Sequence, residues 1–508
     1  MRIKNIFRNS FFSMISQFAL LILGFFSQRA LNLYMGSELV GMNGVISNVI
    51  AILSVTELGV ATAVVYHLYG AIARQDEQEI AALMNLYRKA YYIFAAVIFS
   101  LGICFLPFIH LFMKNSRYSL GYIRVLYGIW LVRTVLSYLL SYRKSLLIAD
   151  QKEYIASILA LITNVLNYTT IIVLVTVTQK YLLALCLNTG MEVLSNLWIN
   201  WHVEKKYPYL KKMRRMKEKT AVFQKIISDL KSIFVSRVSQ KLLYCTDNLI
   251  ISGFISVKTV GLYSNYCLIT QSIANLLIVL SNSIQPTVGN AFTEKNYEKD
   301  YMILRQLTFA FFLIVSVGAA GLFTLITPFV TDFWLGKGYE LSGMIVIICV
   351  ANFAMQIMGL PLSMVVGVTG LFEKERNASV LAAGVNLLLS LGLVRNFGMM
   401  GVLLGTFLAY FSQNIYRFWI FFCYFLPDQN KKEAFRYLFD LAEYGALILL
   451  EVVVVRKIVD LVYVPQRFLA LLLSCIVCCV IPTAVNLLVY FKSWRVKSLG
   501  QMIRGMRK

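Results

Sequence analysis

The stretch FAFFLIVSVGAAGLFTLITPFV, residues 309–330, carries no charged side chain. About 20 consecutive apolar residues are enough for a helix to cross the hydrocarbon core of a bilayer. The same pattern recurs outward from this stretch through the 508-residue chain, which is 59% hydrophobic and only 14% charged. Soluble domains are usually about 45–50% apolar and about 25% charged. The composition therefore excludes a soluble enzyme, a nucleic-acid-binding domain and a disordered scaffold, and it predicts an all-α polytopic membrane protein.

Apolar runs separated by charged residues, glycine or proline predict fourteen transmembrane helices. They cover residues 10–34, 43–69, 89–113, 119–145, 153–177, 181–202, 228–255, 261–293, 303–334, 339–371, 377–396, 399–425, 438–463 and 467–491. The first run is interpreted as a spanning helix and not as a signal peptide, because no small-residue cleavage site follows it. An even number of helices with the N-terminus inside places both termini in the cytoplasm.

The distribution of basic residues supports this topology. The chain has 48 Lys and Arg residues against 25 Asp and Glu, a net charge of +23. Most of the basic residues fall in predicted cytoplasmic segments, and few fall in predicted external turns. This is the asymmetry expected of a multi-pass membrane protein. The largest basic block, residues 205–219, lies between the sixth and seventh helices and is expected to contact anionic lipid headgroups.

The predicted organisation is two six-helix lobes, residues 1–202 and 228–425, joined by a basic cytoplasmic linker at 203–227. Residues 426–508 add two more transmembrane helices and a basic tail. A weak internal repeat agrees with the two lobes, since MGSELVGM at 35–42 is similar to ISVKTVGL at 255–262. Each copy joins a helix to its successor through a short external turn.

Cations inside predicted spans are the first candidates for a binding site, because an ionisable side chain there is costly unless it faces a partner or water. They outnumber the carboxylates at the same depth, which predicts an anionic substrate, and guanidinium groups pair well with phosphate. For Arg124, an anchoring role at the external surface is an equally open interpretation. Arg237 could reach the cytoplasmic face. For the other cations, the main alternative is an intramembrane salt bridge. The predicted substrate-binding cations are Arg29, Arg237, Lys241, Arg417, Arg124 and Arg133.

Uncharged polar residues recur at helical spacing in seven of the spans and predict a hydrated cavity. The alternative is that each stripe only joins neighbouring helices by hydrogen bonds. The predicted lining residues are Asn164, Asn188, Tyr244, Asn248, Gln271, Asn275, Gln356, Gln413 and Asn414. Glu57, Glu192 and Asp247 are candidates for coupling to an ion, or they neutralise nearby arginines.

Several of these segments resemble bacterial polysaccharide and O-antigen (Wzx-like) flippases, of the polysaccharide transporter branch of the multidrug/oligosaccharidyl-lipid/polysaccharide (MOP) exporter superfamily. The segments are FSQRALNLYMGSELVGMNGV at 26–45, SVTELGVATA at 54–63, AALMNLYRKAY at 81–91, TDNLIIS at 246–252 and VGLYSNY at 260–266. The resemblance implies MATE-like lobes around a cavity that opens alternately to each side of the bacterial cytoplasmic membrane.

The resemblance also implies the cargo and the partners. The cargo would be a lipid-linked oligosaccharide, an isoprenoid diphosphate bearing a sugar repeat unit. Membrane lipids, an H⁺ or Na⁺ coupling ion and other polysaccharide-assembly proteins would be partners, and nucleic acid would not. Arg29 falls where relatives carry a basic residue on the first helix, but Ala30 replaces the acidic residue that lipid II flippases carry next. That difference argues against a peptidoglycan precursor as cargo.

The sequence has no Walker A pattern, so no internal ATPase is expected. No cofactor or metal is expected either, and the protein is not predicted to be an enzyme. Energy would come from an ion gradient, the membrane potential or consumption of the cargo. Three other functions stay open: a lipid II flippase, a multidrug or cation exporter of the same superfamily, and a membrane-embedded polysaccharide polymerase or ligase. The last would require a sizeable external loop, whereas the predicted external turns are short.

Overall fold

A computed structural model describes residues 2–57, 60–210, 220–292, 297–425, 431–461, 466–491 and 493–496. Every regular element within these ranges is helical. The α-helices are α1 (Arg2–Met35), α2 (Ser37–Leu53), α3 (Val60–Ala73), α4 (Glu77–Phe105), α5 (Leu120–Ser141), α6 (Lys144–Ala149), α7 (Glu153–Thr178), α8 (Tyr181–Lys206), α9 (Thr220–Phe254), α10 (Val257–Ala291), α11 (Tyr297–Pro328), α12 (Gly343–Met358), α13 (Leu360–Val368), α14 (Phe372–Phe397), α15 (Met399–Ile420), α16 (Lys431–Leu461) and α17 (Arg467–Tyr490).

Each of the fourteen predicted segments coincides with one of these α-helices or with consecutive helices that share it. The agreement is closest for α7, predicted at 153–177, and for α17, predicted at 467–491. Nine helical segments within the described ranges are long and apolar enough to cross a bilayer. The chain is therefore a multi-pass membrane protein with an all-helical fold, as the composition predicts.

Two of the predicted helices are interrupted. The segment 43–69 is divided between α2 and α3 by a 3₁₀ turn at Ser54–Glu57. The segment 339–371 is divided at Gly359 into α12 and α13, with Pro361 in the first turn of α13. Proline has no amide hydrogen and its ring crowds the carbonyl four residues earlier, so a straight helix cannot continue through that position.

Contacts divide the chain into two compact units, residues 1–264 and 265–508. The predicted lobe boundaries stay a prediction, and residues 211–219 of the basic linker lie outside the described ranges. In the first unit, α3, α4 and α6 share an apolar core that includes three buried tyrosines. Tyr87 donates a hydrogen bond to the Tyr91 hydroxyl at 2.7 Å and accepts one from Ser145 at 3.1 Å. Buried hydroxyls are thus satisfied within the core.

Three predicted external turns meet at one end of the first unit. Ser116 Oγ donates to Glu38 Oε1 at 2.7 Å, and Lys114 Nζ donates to the carbonyl of Phe254 at 2.8 Å. The amide of Val257 donates to the carbonyl of Lys114 at 3.3 Å. Turns that follow α1, precede α5 and follow α9 therefore share one end, as the alternating topology requires.

A pair of glycines brings α2 and the start of α10 into backbone contact within the first unit. A Cβ placed on Gly41 would lie 2.0 Å from the carbonyl oxygen of Val257, and one placed on Gly261 would lie 1.7 Å from that of Ser37. Neither position can hold a larger residue unless the helices move apart. The contact joins the two copies of the internal repeat, since Ser37 corresponds to Val257 and Gly41 to Gly261.

In the second unit α11 packs against α12, α16 and α17. Phe309 and Phe312 on α11 form an apolar cluster with Tyr444 of α16 and Tyr490 of α17. The rings of Phe312 and Tyr444 stack with centroids 4.3 Å apart. The two C-terminal helices are therefore an integral part of this unit, held largely by aromatic burial.

Candidate functional site

Five of the six predicted substrate-binding cations lie in the first unit, and their accessibility differs. Arg29 on α1, Arg124 on α5 and Arg237 on α9 are exposed, and Lys241 on α9 is half-buried. Arg133 and Arg417, described below, are instead held by carboxylates. The accessible positive charge among the predicted residues is thus concentrated on α1, α5 and α9.

The predicted polar face of α9 is present. Arg237, Lys241 and Tyr244 follow one another at helical spacing, and Tyr244 is 48% exposed. Asn248, one turn further, is half-buried and its Oδ1 accepts no hydrogen bond within the described part of the chain. This face offers a cation, an aromatic hydroxyl and an unpaired amide oxygen along about three turns, a set suited to phosphate and sugar hydroxyls.

Arg29 lies on a helix face that is both charged and apolar. Ile22, Phe26 and Leu33 occupy positions one or two turns away on the same side of α1, and all three are about half exposed. A guanidinium among exposed apolar side chains matches a ligand with an anionic group attached to a hydrocarbon chain.

Arg133 forms an ion pair across the first unit. Its Nε lies 2.5 Å from Glu192 Oε2, and its guanidinium stacks 5.4 Å from the Trp130 ring centre. Trp130 in turn donates to Asn43 Oδ1 at 3.3 Å. Glu192 is the predicted coupling carboxylate of α8, so the structure brings this candidate together with a candidate binding residue.

Arg417 is held in the second unit by Glu375 of α14. Its Nε lies 3.0 Å from both carboxylate oxygens, and Nη2 also contacts Oε1. The pair is largely buried, with 10% and 16% of the two side chains exposed. Arg417 is one of the predicted cations, whereas Glu375, which lies 42 positions away at the start of a helix, was not predicted.

The predicted lining residues of the first unit divide between surface and core. Asn164 and Tyr244 are exposed, whereas Asn188 is buried. Asn188 Nδ2 donates to the carbonyl of Asn167 at 3.3 Å, while the Oδ1 atoms of both asparagines accept no hydrogen bond in the described ranges. Asn188 therefore joins α7 to α8 and still has an unused acceptor.

In the second unit the predicted lining residues are dispersed over several helices. Asn275 is exposed, and Gln271 and Gln356 are half-buried. Gln413 is buried and donates to Ser379 at 3.5 Å, and Asn414 donates to the carbonyl of Met355 at 3.0 Å. Gln413 and Asn414 thus join neighbouring helices, which is the packing role that polar residues often have in membranes.

The coupling candidates have different surroundings. The side chain of Glu57 lies outside the described part of the chain. Asp247 on α9 is buried, and Glu192 is paired with Arg133. No group of three His, Cys, Asp or Glu side chains that could hold a metal ion occurs among the described residues.

The largest ionic network was not predicted from the sequence. Arg305 of α11 and Arg495, after α17, both bind Asp440 of α16, at 2.7 and 2.5 Å. Arg495 also binds Glu443 at 2.9 Å, and the Arg305 guanidinium lies 4.4 Å from the Trp494 ring centre. The sequence feature that could have indicated this network is the presence of opposite charges at the predicted cytoplasmic ends of three helices.

Searches found no matching family model and no matching curated protein. Among solved structures the chain is similar to the lipid II flippase MurJ in an inward closed conformation, with a TM-score of 0.68, 16% identity, and coverage of 94% of this chain and 98% of the flippase. It is also similar to an inward-facing multidrug resistance MATE family transporter of the MOP superfamily, with a TM-score of 0.65, 15% identity, and coverage of 78% and 92%. A Vibrio cholerae MATE transporter matches with a TM-score of 0.52, 13% identity, and coverage of 83% and 98%.

The chain therefore has the fold shared by MOP-superfamily transporters. The match to the flippase covers 94% of this chain. The unmatched part is shorter than α16 and α17 together, so the similarity extends into the C-terminal helix pair. The MATE transporters cover a smaller share of the chain.

Proposed function

We propose that the protein is a flippase that moves an anionic lipid-linked oligosaccharide, an isoprenoid-diphosphate repeat unit, across the bacterial cytoplasmic membrane for surface polysaccharide synthesis. The substrate site would be exposed alternately to the two sides of the membrane. Arg29, Arg124, Arg237 and Lys241 would bind the diphosphate, while Asn and Tyr side chains would bind sugar hydroxyls.

The observation that carries this proposal is the position of Arg29 on an exposed face lined by Ile22, Phe26 and Leu33. A lipid diphosphate combines a multiply charged group with a long hydrocarbon chain, and this face presents a partner for each part. A purely polar solute would gain nothing from the apolar side chains, and an organic cation would be repelled by the guanidinium.

A lipid II flippase is the second candidate, and the similarity in fold to MurJ over most of both chains favours it. Lipid II is also an anionic isoprenoid-diphosphate glycan, so the same cations would suit it. Ala30 after Arg29 argues for the polysaccharide assignment. A drug exporter is represented among the structural neighbours, but the exposed arginines of the first unit disfavour a cationic substrate.

The proposal is tested by deleting the gene and measuring lipid-linked glycans by mass spectrometry. We expect a polysaccharide repeat unit on isoprenoid diphosphate to accumulate, together with loss of the surface polymer. Accumulation of lipid II would instead assign the peptidoglycan precursor. An unchanged lipid pool with normal surface polysaccharide would refute both flippase assignments.

Complementation then tests the residues. Arg29→Ala is expected to abolish polysaccharide export at normal membrane abundance, and Arg29→Lys to retain part of it, because a lysine keeps the charge but loses the bidentate geometry. Arg395→Ala is the matched control, since Arg395 is an exposed arginine of α14 outside the predicted site. Full export by Arg29→Ala would contradict the cationic site.

A further inference from the structure

Glu451 of α16 is fully buried in the second unit. It lies between two apolar clusters, one formed by Phe309, Phe312, Tyr444 and Tyr490 and the other by Ala320, Val455 and Cys478. A carboxylate at such depth is costly unless it is neutralised by a cation or a proton.

Within the described ranges, the side chains that act on this carboxyl are neutral. They are the side chains of Ser316 on α11 and Asn486 on α17. Neither carboxyl oxygen accepts a hydrogen bond of ordinary length from the residues that the structure describes. Asn486 Nδ2 donates to Ser316 Oγ at 2.8 Å, which leaves Asn486 Oδ1 buried and without a donor.

Charged side chains on the three surrounding helices are remote from Glu451 or engaged elsewhere. On α16, Arg456 is paired with Asp460 at 3.1 Å, and Glu443 lies two turns away. On α11 no titratable residue occurs between Arg305 and Asp332. The titratable groups that line this part of the unit are Tyr444 on α16 and Cys478 and Tyr490 on α17.

Within the described part of the chain, the site therefore holds three buried acceptor oxygens, two on Glu451 and one on Asn486, that accept no hydrogen bond of ordinary length. A single proton removes the buried charge and supplies a donor, because a carboxylic acid is neutral and its hydroxyl can donate to Asn486 Oδ1. Hard metal cations need about six oxygen ligands, and Ser316 Oγ is already engaged by Asn486.

We propose that Glu451, Asn486 and Ser316 form a proton-binding site and that its proton exchanges with the cytoplasmic side to drive transport. Two further polar side chains lie between it and that side. Tyr490 follows Asn486 by one helical turn and donates to Glu443 Oε1 at 2.7 Å. The Glu443 side chain is 29% exposed, and it belongs to the ionic network at the predicted cytoplasmic end.

Infrared difference spectroscopy of the purified full-length protein tests the site itself. We expect a protonated-carboxyl C=O band at neutral pH that is lost in Glu451→Gln and retained in Asp460→Asn, the matched control on an exposed part of the same helix. Glutamine preserves the volume and can donate to Asn486, so the fold should be kept. Glu451→Asp, which should keep a shifted band, provides a second variant. A band that survives in Glu451→Gln would overturn the proposal.

The coupling step rests on the proposed function and is tested separately in proteoliposomes. The substrate is a short-chain isoprenoid diphosphate that carries one fluorescent sugar, with a pH gradient or a sodium gradient imposed. We expect the wild type and Asp460→Asn to accelerate with the pH gradient, and Glu451→Gln to lose this acceleration. Acceleration by pH that is unchanged in Glu451→Gln, or acceleration by sodium alone, would overturn proton coupling at this site. Failure of the wild type to move the lipid would refute the proposed function, while the infrared result would still decide the proton site.

Discussion

Arg417 illustrates at the scale of a residue how a candidate binding group can be occupied by a structural partner. Its guanidinium is bidentate to Glu375, and both side chains are largely withdrawn from solvent. Removing one member of a buried ion pair leaves an uncompensated charge, which typically costs about 3–5 kcal/mol, whereas replacing both members costs much less.

We expect Arg417→Gln or Glu375→Gln alone to lower the thermal unfolding temperature in detergent and the double variant to recover most of it. The measurement is a double-mutant cycle followed by tryptophan fluorescence. Single effects that simply add would show that the pair is not coupled. Export by the double variant then tests Arg417: retained export would assign it to structure, and lost export would support its predicted contact with substrate.

The sequence predicted which cations lie in helices but not which carboxylates meet them. Arg133 and Glu192 were each singled out, yet their pairing joins α5 to α8 and has no local signature. The same holds for Arg417 with Glu375. Helical spacing reports the side of one helix on which a residue lies, and it carries no information about the neighbouring helix. Accessible residues such as Arg29 and Arg237 could be proposed only because their type is unusual in a span.

At the scale of an element, the lengths of the apolar runs predicted where the helices lie. The breaks within 43–69 and 339–371 could be predicted only from individual residues. Pro361, two residues after Gly359, was a readable break in the segment 339–371. The turn at Ser54–Glu57 had a weaker signal, because Ser and Thr disfavour helix only slightly. One consequence is that the predicted polar face of 43–69 does not continue along a single helix.

The crossing of α2 and α10 supports an element-scale prediction. Gly41→Ala and Gly261→Ala should each lower the thermal unfolding temperature, because the new methyl group would meet a backbone carbonyl that cannot rotate away. Overpacking of this kind costs about 1–3 kcal/mol. Gly128→Ala on α5 is the control, since nothing lies within 4 Å of the added Cβ and alanine favours helix. Equal stability of all three variants would contradict the close approach.

At the scale of the whole molecule, Trp494 and Arg495 after α17 stabilise the packing of α16 and α17 in the second unit. Arg495 reaches Asp440 and Glu443 on α16, and Trp494 covers Arg305 of α11. A chain that ends at residue 492 loses these contacts, and a chain that ends at residue 496 keeps them.

We therefore expect the chain that ends at 492 to unfold several degrees lower in detergent and to be cleaved faster by protease between α16 and α17. Without Arg495, Asp440 keeps Arg305 as a partner but Glu443 loses an ion pair, and without Trp494 the Arg305 guanidinium loses a ring contact. The chain that ends at 496 should behave like the full-length protein. Equal protease resistance of the two truncated chains would show that the network does not secure the helix pair.

The reciprocal glycine contact has a consequence for the history of the chain. Ser37 faces Gly261 just as Val257 faces Gly41, and this reciprocity is the mark of an isologous interface, in which two identical subunits present the same patch across a twofold axis. Within one polypeptide, duplication and fusion of a gene whose product paired with itself would leave this arrangement. The two copies are then free to diverge everywhere except where they touch, so the small residue on each side constrains its counterpart on the other.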